Sequence, residues 1–164
     1  MSIKWAIQRV TDPAADALTA TEAKKHLRVE HSDDDTYITS LSKTWCEWLE
    51  DRTNRSFVLQ TWDYFQDEFP GSSETQVELP RGPVIAVTSV KYTGVTSTTA
   101  GTLAATSYAV DITSEPGRVY LKDGQSWPTN ALRKANGVEV RYTAGLATTA
   151  TGVPQRVKHT LRLL

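Results

Sequence analysis

The pattern of apolar and polar residues changes near residue 57 of the chain. Before that point apolar residues recur at spacings of three and four, which is typical of amphipathic helices. After it they mostly alternate with polar residues, which is typical of half-buried strands, and a helical period returns in residues 154–164. This order predicts an α+β protein in which amino-terminal helices and a carboxyl-terminal helix flank an inserted antiparallel β-sheet or small barrel.

Two helices are predicted in the amino-terminal part. Thr19 and Glu22 have the spacing of a capping box, so a first helix is expected to follow and to reach about Val29. Ser32 precedes three aspartates and is interpreted as the second N-cap, because the helix dipole favours acidic residues in a first turn. This second helix is expected to end near Asn54.

The second helix carries a strongly apolar stripe with two tryptophans. Its large side chains are expected to pack against the other helices and the sheet. The stripe consists of Ile38, Leu41, Trp45, Trp48 and Leu49.

Alternation predicts the strands of the middle region. A short strand containing Ile3, Trp5 and Ile7 is expected at the start of the chain. Further strands are expected within 57–69, 77–79, 84–92, 108–112, 119–121 and 138–142. The 84–92 strand has apolar residues on both faces and is predicted to be the central strand. Residues 70–73 are predicted to form a turn. The uncharged residues 93–107 are predicted to form a long hairpin loop.

The last helix is predicted from Pro154, since proline is well tolerated at a helix start. Val157, Thr160, Leu161 and Leu164 fall on one stripe, and so short a helix must pack on its own domain or on a partner. The predicted division is therefore 1–56 for the amino-terminal strand and helices, 57–146 for the inserted β-domain, and 147–164 for a linker and the start of the last helix.

Composition narrows the class of protein. With 164 residues, 39% hydrophobic content and five tryptophans, the chain is expected to form one folded, soluble domain. No apolar run approaches the roughly 20 residues that span a bilayer, and the first residues lack the layout of a secretion signal. The single cysteine, Cys46, forms no internal disulfide, which favours assembly in a reducing compartment.

Charge is distributed unevenly along the chain. Residues 1–80 carry 15 acidic and 8 basic side chains, a net charge of −7, whereas residues 81–164 carry 4 and 10, a net charge of +6. Acidic helix starts and chance explain this as well as a head-to-tail interface does, in which an acidic face of one copy meets a basic face of the next.

Residues with reactive side chains do not form a recognisable catalytic pattern. His26, Glu30 and His31 are close in sequence, but the histidines do not share a helix face, so we expect no metal site. Cys46 is expected to be a buried thiol, and Ser126 lies outside any nucleophile elbow. The sequence predicts no enzyme and no cofactor.

Aromatic residues support an alternative from another class. Trp62, Tyr64 and Trp127 would form a ligand platform if they were exposed, as in a carbohydrate- or receptor-binding β-module. Core packing explains the same residues without a ligand. A binding module would also leave the two capped helices unexplained.

An ordered set of short motifs resembles one family over nearly the whole chain. The set comprises Leu18-Thr19, Glu22-Ala23-Lys24, His26-Leu27-Arg28-Val29, Asp33-Asp34-Asp35, Leu79-Pro80-Arg81, Pro83-Val84, Tyr108, Val110-Asp111, Trp127-Pro128, Tyr142, Ala144-Gly145 and Val153-Pro154. It resembles the head-tail connectors, or adaptors, of long-tailed bacteriophages, prophages and gene transfer agents. Members of that family generally continue the last helix beyond the point that matches Leu164, so this chain is either naturally short or truncated there.

The resemblance implies a structural role in the neck of a virion, with assembly in the bacterial cytoplasm. It implies a homo-oligomeric ring, usually dodecameric, beneath the portal protein. The ring would extend the channel for double-stranded DNA without reading its sequence, and would dock the stopper or tail-terminator protein. No membrane contact is implied.

Two sets of contact residues are predicted. Residues 154–164 are expected to bind the portal through Arg156, Val157, Lys158, Leu161 and Leu164. The uncharged loop is expected to contact a neighbouring subunit or neck protein through Val95, Thr98, Thr99 and Leu103, because uncharged side chains can be buried without desolvating ions.

Overall fold

The computed structural model describes residues 5–71 and 76–164. The helices are α1 (Ala20–Leu27), α2 (Asp35–Thr53) and α3 (Gln155–Leu163), with a 3-10 turn at Ala150–Gly152. The strands are β1 (Trp5–Thr11), β2 (Gln60–Gln66), β3 (Gln76–Leu79), β4 (Val84–Tyr92), β5 (Gly101–Thr102), β6 (Tyr108–Asp111), β7 (Gly117–Leu121) and β8 (Val138–Ala144). The prediction of an α+β fold is confirmed. Two predicted features fall partly outside the described residues: Ile3 of the first strand, and residues 72–73 of the predicted 70–73 turn.

The strands form two open antiparallel sheets in the described part of the chain, and not a closed barrel. The larger sheet has the order β1-β2-β8-β4-β5, and the smaller has the order β3-β7-β6. Strand β8 is the central strand, because Val140 lies opposite both Tyr64 of β2 and Val90 of β4. The prediction that the 84–92 strand is central is therefore wrong: β4 has two register shifts and leaves Ile85 exposed, as strands near an edge often do.

One hydrophobic core lies between the two sheets. Alternate residues of β8 point into it, so the strict alternation of this strand reflects one buried face and one open face. The fully buried members from the two sheets are Val77, Leu79, Val90, Val119, Val138, Val140, Tyr142 and Ala144.

The 93–107 segment is more ordered than the predicted loop. Residues Gly101–Thr102 form β5 and pair with Lys91 and Tyr92, so the hairpin returns at β5. Strand β6, which was expected to return beside β4, pairs with β7 in the smaller sheet instead. Leu103 follows β5 directly and is buried in the core between the sheets.

Local signals account for the helix ends. The capping box is present: the Glu22 backbone N–H donates to Thr19 Oγ1 at 3.2 Å, and the Thr19 N–H donates to Glu22 Oε2 at 3.1 Å. Helix α1 ends at Leu27, two residues before the predicted Val29, because Arg28 adopts a left-handed conformation with φ 58°. Helix α2 ends at Thr53 with Asn54 as its C-cap, which agrees with the predicted end near Asn54.

The start of α2 differs from the prediction. Its N-cap is Asp34 and not Ser32, and the Asp34 side chain makes no capping hydrogen bond. Ser32 lies in the turn before the helix, where its backbone carbonyl accepts the N–H of Asp35 at 3.2 Å.

A second, smaller core holds the three helices together at one end of the larger sheet. It includes Ala23 of α1, Ile38 of α2 and Leu161 of α3, and it reaches the sheet through Phe57 and Val58. The chain after β8 passes close to this junction at Gly145, where a Cβ atom would lie 2.7 Å from the backbone of Leu59. Among the described residues no helix is long and apolar enough to cross a membrane.

Candidate functional site

Helix α3 is anchored to α1 by a buried lysine. The Lys158 side chain is 3% exposed, and its Nζ donates to Glu22 Oε1 at 2.6 Å. Burial raises the pKa of Glu22, but the hydrogen bonds from Lys158 and from the Thr19 N–H and hydroxyl outweigh it, so the pKa lies below its ordinary value. One carboxylate thus both caps α1 and attaches α3.

Because α3 is anchored in this way, some of the predicted portal-binding residues are buried and others are exposed. Lys158 and Leu161 belong to the helical core and Val157 packs partly against it, so these three do not offer a free surface in the isolated chain. Arg156 and Leu164 are exposed. The buried part of the apolar stripe of α3 therefore packs on the chain's own helices. The helical period alone was equally compatible with a stripe that contacts a partner.

Leu163 is an accessible residue that the sequence reasoning missed. It is 70% exposed in the last turn of α3. It lies off the apolar stripe of the helix, and its exposure follows from the burial of Leu161 on the opposite side.

A shallow groove lies beside the carboxyl end of α3. Its volume is about 150 Å³, and Leu27, Leu41 and Leu164 line it together with buried core residues. His26 and Arg162 also line the groove, so two basic side chains lie among its mostly apolar residues.

The outer face of α2 is more exposed than predicted. Tyr37 is 65% exposed and Trp48 46% exposed, and Leu41 lies between them on the same side of the helix. The prediction that the whole stripe packs internally is wrong for Leu41 and Trp48, because α1 and α3 cover only one side of this helix. Exposed aromatic residues on a rigid helix are typical of a protein interface.

The loop residues predicted to contact a partner also divide into two groups. Val95, Thr98 and Thr99 are exposed at the tip of the β4–β5 hairpin. Leu103 is buried, and its N–H donates to the Val90 carbonyl at 2.8 Å. Leu103 is therefore a core residue, and the accessible part of the loop lies before β5.

The three aromatic residues considered as a ligand platform are all buried. Trp62 Nε1 donates to Ser56 Oγ at 3.0 Å, and the guanidinium groups of Arg9 and Arg81 lie over its ring at 5.5 and 5.1 Å from the centroid. Trp127 stacks on Phe69 with their centroids 4.8 Å apart. Tyr64 is likewise part of the inter-sheet core, so these side chains do not form an open sugar-binding surface.

An open pocket of about 210 Å³ lies on the other side of α2, and Cys46 and Glu50 are among the residues that line it. Burial and nearby carboxylates raise the pKa of the Cys46 thiol to about 12, so the thiol is protonated and unreactive at neutral pH. Burial also raises the pKa of Glu50, although the Phe57 N–H and the Gln60 amide donate to it at 2.6 and 2.8 Å.

The two histidines near α1 have different surroundings. His26 lines the groove, whereas His31 lies 4.0 and 3.9 Å from carboxylates of Asp33 and Asp34. Within residues 5–71 and 76–164, no three His, Cys, Asp or Glu side chains are arranged to hold a metal ion.

The chain matches a known protein family over more than half of its length. The family described as Phage gp6-like head-tail connector protein matches residues 18–115, which is more than half of the chain. None of the curated proteins compared with the chain matches it.

Solved structures with the same fold come from gene transfer agent particles. A chain from the neck of an empty particle, computed with C6 symmetry, has a TM-score of 0.80 and 20% identity over 97% of this chain and 80% of that chain. A chain from the native virion has a TM-score of 0.77 and 19% identity over 96% and 80%. A chain from the native neck, computed with C12 symmetry, has a TM-score of 0.75 and 20% identity over 97% and 80%.

Proposed function

This chain belongs to the family of Phage gp6-like head-tail connector proteins, and from that premise we propose that it forms a ring beneath the portal of a virus-like particle. The ring, a dodecamer, extends the DNA channel and docks the stopper or tail-terminator protein. It acts in the neck of the particle after assembly in the host cytoplasm. A connector of this kind is structural, which points away from enzymatic activity.

The family match over residues 18–115 carries this proposal. The fold shared with neck chains of gene transfer agents supports it, since those necks were computed with sixfold and twelvefold symmetry. A ring of identical copies needs heterologous contacts that close after a whole number of subunits. Exposed aromatic residues on α2 are suited to such contacts.

The exposed face of α3 is the proposed portal contact. Arg156, Leu163 and Leu164 supply one charge and two apolar side chains on a helix that Lys158 holds in place. The inner face of α3 supports this surface through Val157, Lys158 and Leu161. These three side chains could contact the portal only if α3 moved away from its own core.

The tip of the β4–β5 hairpin is the proposed contact with a neighbouring subunit or neck protein. Val95, Thr98 and Thr99 are exposed and uncharged there, so a partner can cover them at little desolvation cost. In this scheme residues 1–56 and 147–164 build the adaptor body and 57–146 the inserted β-domain. Strand β1 joins the two parts, because it pairs with β2 at the edge of the larger sheet.

DNA is proposed to pass through the ring without base-specific contacts. The net charge of −1 supplies no overall attraction to phosphate, so the lumen is expected to guide the duplex and not to hold it.

The test is negative-stain electron microscopy of the purified chain, alone and mixed with the portal protein of the same particle. Rings, or extra density beneath the portal, are expected for the wild type. The double variant Arg156→Glu/Leu164→Asp should fold normally but lose the density beneath the portal. The matched control, Lys122→Glu/Ile112→Asp, makes the same kinds of change at exposed positions away from α3 and should keep it. A wild type that never associates with portal would contradict the proposal.

A further inference from the structure

We propose that the open pocket beside α2 is a binding site for a guanidinium or alkylammonium group, with the Glu50 carboxylate as its acceptor. The pocket has a volume of about 210 Å³ and is lined by residues of α2 and of the loop between β1 and α1, together with Arg9 and Val58. All of these residues belong to one chain, so the site does not depend on the proposed ring.

The Glu50 side chain has one oxygen without a protein donor. Glu50 is 3% exposed, and its Oε1 accepts both the Phe57 N–H at 2.6 Å and the Gln60 amide at 2.8 Å. No hydrogen bond to Oε2 comes from the residues that the structure describes, although buried carboxylate oxygens normally have donors. Unlike Gln60 Oε1, which is sealed in the core without a partner, Glu50 Oε2 keeps accessible surface. Because Glu50 lines the pocket, a ligand there can supply the donor that Oε2 lacks.

The cations already in the pocket are engaged with other carboxylates. Arg9 Nη1 lies 3.2 Å from Glu47 Oε1 and 3.4 Å from Asp12 Oδ1, and both of these acidic side chains are largely exposed. Lys43 Nζ lies 3.7 Å from a further carboxylate of the loop. Across 5–71 and 76–164, neither Arg9 nor Lys43 forms an ion pair with Glu50. The lining has four acidic and two basic side chains, so its formal charge is −2 when all are ionised and attracts a further cation.

The electrostatic surroundings of Glu50 also favour an added cation. Burial raises the pKa of Glu50, although the hydrogen bonds from Phe57 and Gln60 and the charges of Arg9 and Arg81 oppose this effect. A cation in contact with Oε2 would stabilise the ionised carboxylate and offset the cost of its burial. A water molecule would donate a hydrogen bond to Oε2 but would bring no charge.

The size and the walls of the pocket limit the ligand to a small organic cation. Pockets for drug-sized molecules have volumes of roughly 300–1,000 Å³, so about 210 Å³ suits a single side chain or a cation of similar size. Pro13, Ala15 and Ala17 provide apolar contacts for an aliphatic stem. The N–H groups of a guanidinium or ammonium ion form charge-assisted hydrogen bonds with a carboxylate, which are stronger than neutral ones.

Binding is tested on the full-length chain with methylguanidinium as the probe, by following amide signals in proton–nitrogen NMR spectra. The Phe57 N–H donates to Glu50, so its signal should shift and saturate with a dissociation constant on the order of 1 mM. Tetramethylammonium at the same ionic strength has the same charge but no N–H group, and it should produce no saturable shift. Failure of methylguanidinium to produce a saturable shift of the Phe57 signal would overturn the site.

Two variants test the site independently. Glu50→Gln removes the negative charge and should weaken methylguanidinium binding about tenfold or more. Ala15→Leu keeps Glu50, fills the pocket from the loop and should also prevent binding, so it decides the question if Glu50→Gln does not fold. Glu78→Gln is the matched control, since it makes the same change at an exposed carboxylate of β3 outside the pocket. Normal binding by either pocket variant in its folded form would refute the assignment.

Ring assembly distinguishes the two sources of the cation. Loss of rings, or of density beneath the portal, in saturating methylguanidinium but not in tetramethylammonium would identify a side chain of a partner as the natural occupant. Unchanged assembly together with binding would identify a free cation. The NMR measurement does not involve assembly, so it decides whether the pocket binds a cation even if the chain forms no rings.

Discussion

Replacing Glu22 by glutamine is expected to destabilise the protein more than replacing its partner Lys158 by methionine. The two side chains form one ion pair, but Lys158 is 3% exposed and Glu22 is 29% exposed. Removing the carboxylate leaves an ammonium group buried without a counter-ion. Removing the ammonium leaves a carboxylate that water and Thr19 still solvate.

The magnitudes follow from this difference in burial. Breaking a buried pair by removing one partner costs about 3–5 kcal/mol, and the partial exposure of Glu22 places Glu22→Gln near the lower end, at about 3 kcal/mol. Lys158→Met keeps the apolar stem packed and is expected to cost about 1 kcal/mol or less. The double variant should resemble Lys158→Met, since no charge is then stranded.

Urea unfolding followed by tryptophan fluorescence measures these differences. The pKa of Glu22 is lowered in the folded protein, so the ion pair stabilises it above the ordinary carboxyl pKa, and this stabilisation is lost as the pH falls through the lowered value. The gap between wild type and Glu22→Gln should therefore shrink in acid. Equal costs for the two single variants, or a larger cost for Lys158→Met, would refute the argument from burial.

Two further predictions concern buried positions of the fold. Glu50→Gln should flatten the dependence of Tm on pH above the ordinary carboxyl pKa. Burial raises the pKa of Glu50 in the folded protein, so the wild type loses stability as the pH rises through the raised value. A wild type whose Tm does not fall with rising pH relative to Glu50→Gln would contradict the prediction. Gly145→Ala should lower the free energy of unfolding, measured in urea, by about 2 kcal/mol or more, because the new Cβ would lie 2.7 Å from the backbone of Leu59. Gly71→Ala is the control: a Cβ there has no atom within 4 Å, so the free energy of unfolding should hardly change. Similar losses for the two alanine variants would show that close approach at Gly145 is not the cause.

Local signals in the sequence were sufficient for most strands and for the approximate helix ends, although the N-cap of α2 is Asp34 and not the predicted Ser32. The capping box at Thr19 and Glu22 is a contact over three residues, so its geometry follows from spacing alone. The alternation in β8 correctly identified a strand with one buried face. The family resemblance, which depends on the order of such pieces, is confirmed by the match over residues 18–115.

The candidate contact residues were predicted less well, because burial depends on what each face meets. An apolar stripe on α3 is compatible with a partner or with the chain's own core, and the structure places Leu161 and Lys158 in that core. Trp48 shows the reverse case: its period on α2 predicted burial, but no element covers that side among the described residues.

Sequence by itself determined the types of the elements, their approximate ends, and the family. Tertiary structure decided that β8 is central, that the strands divide into two sheets, that Leu103 is a core residue, and that Lys158 joins α3 to α1. The physical reason is the range of the interactions. Capping and periodicity act between residues a few positions apart, whereas strand pairing and the Glu22–Lys158 ion pair join residues far apart in the chain, and no local pattern specifies which distant partner each will meet.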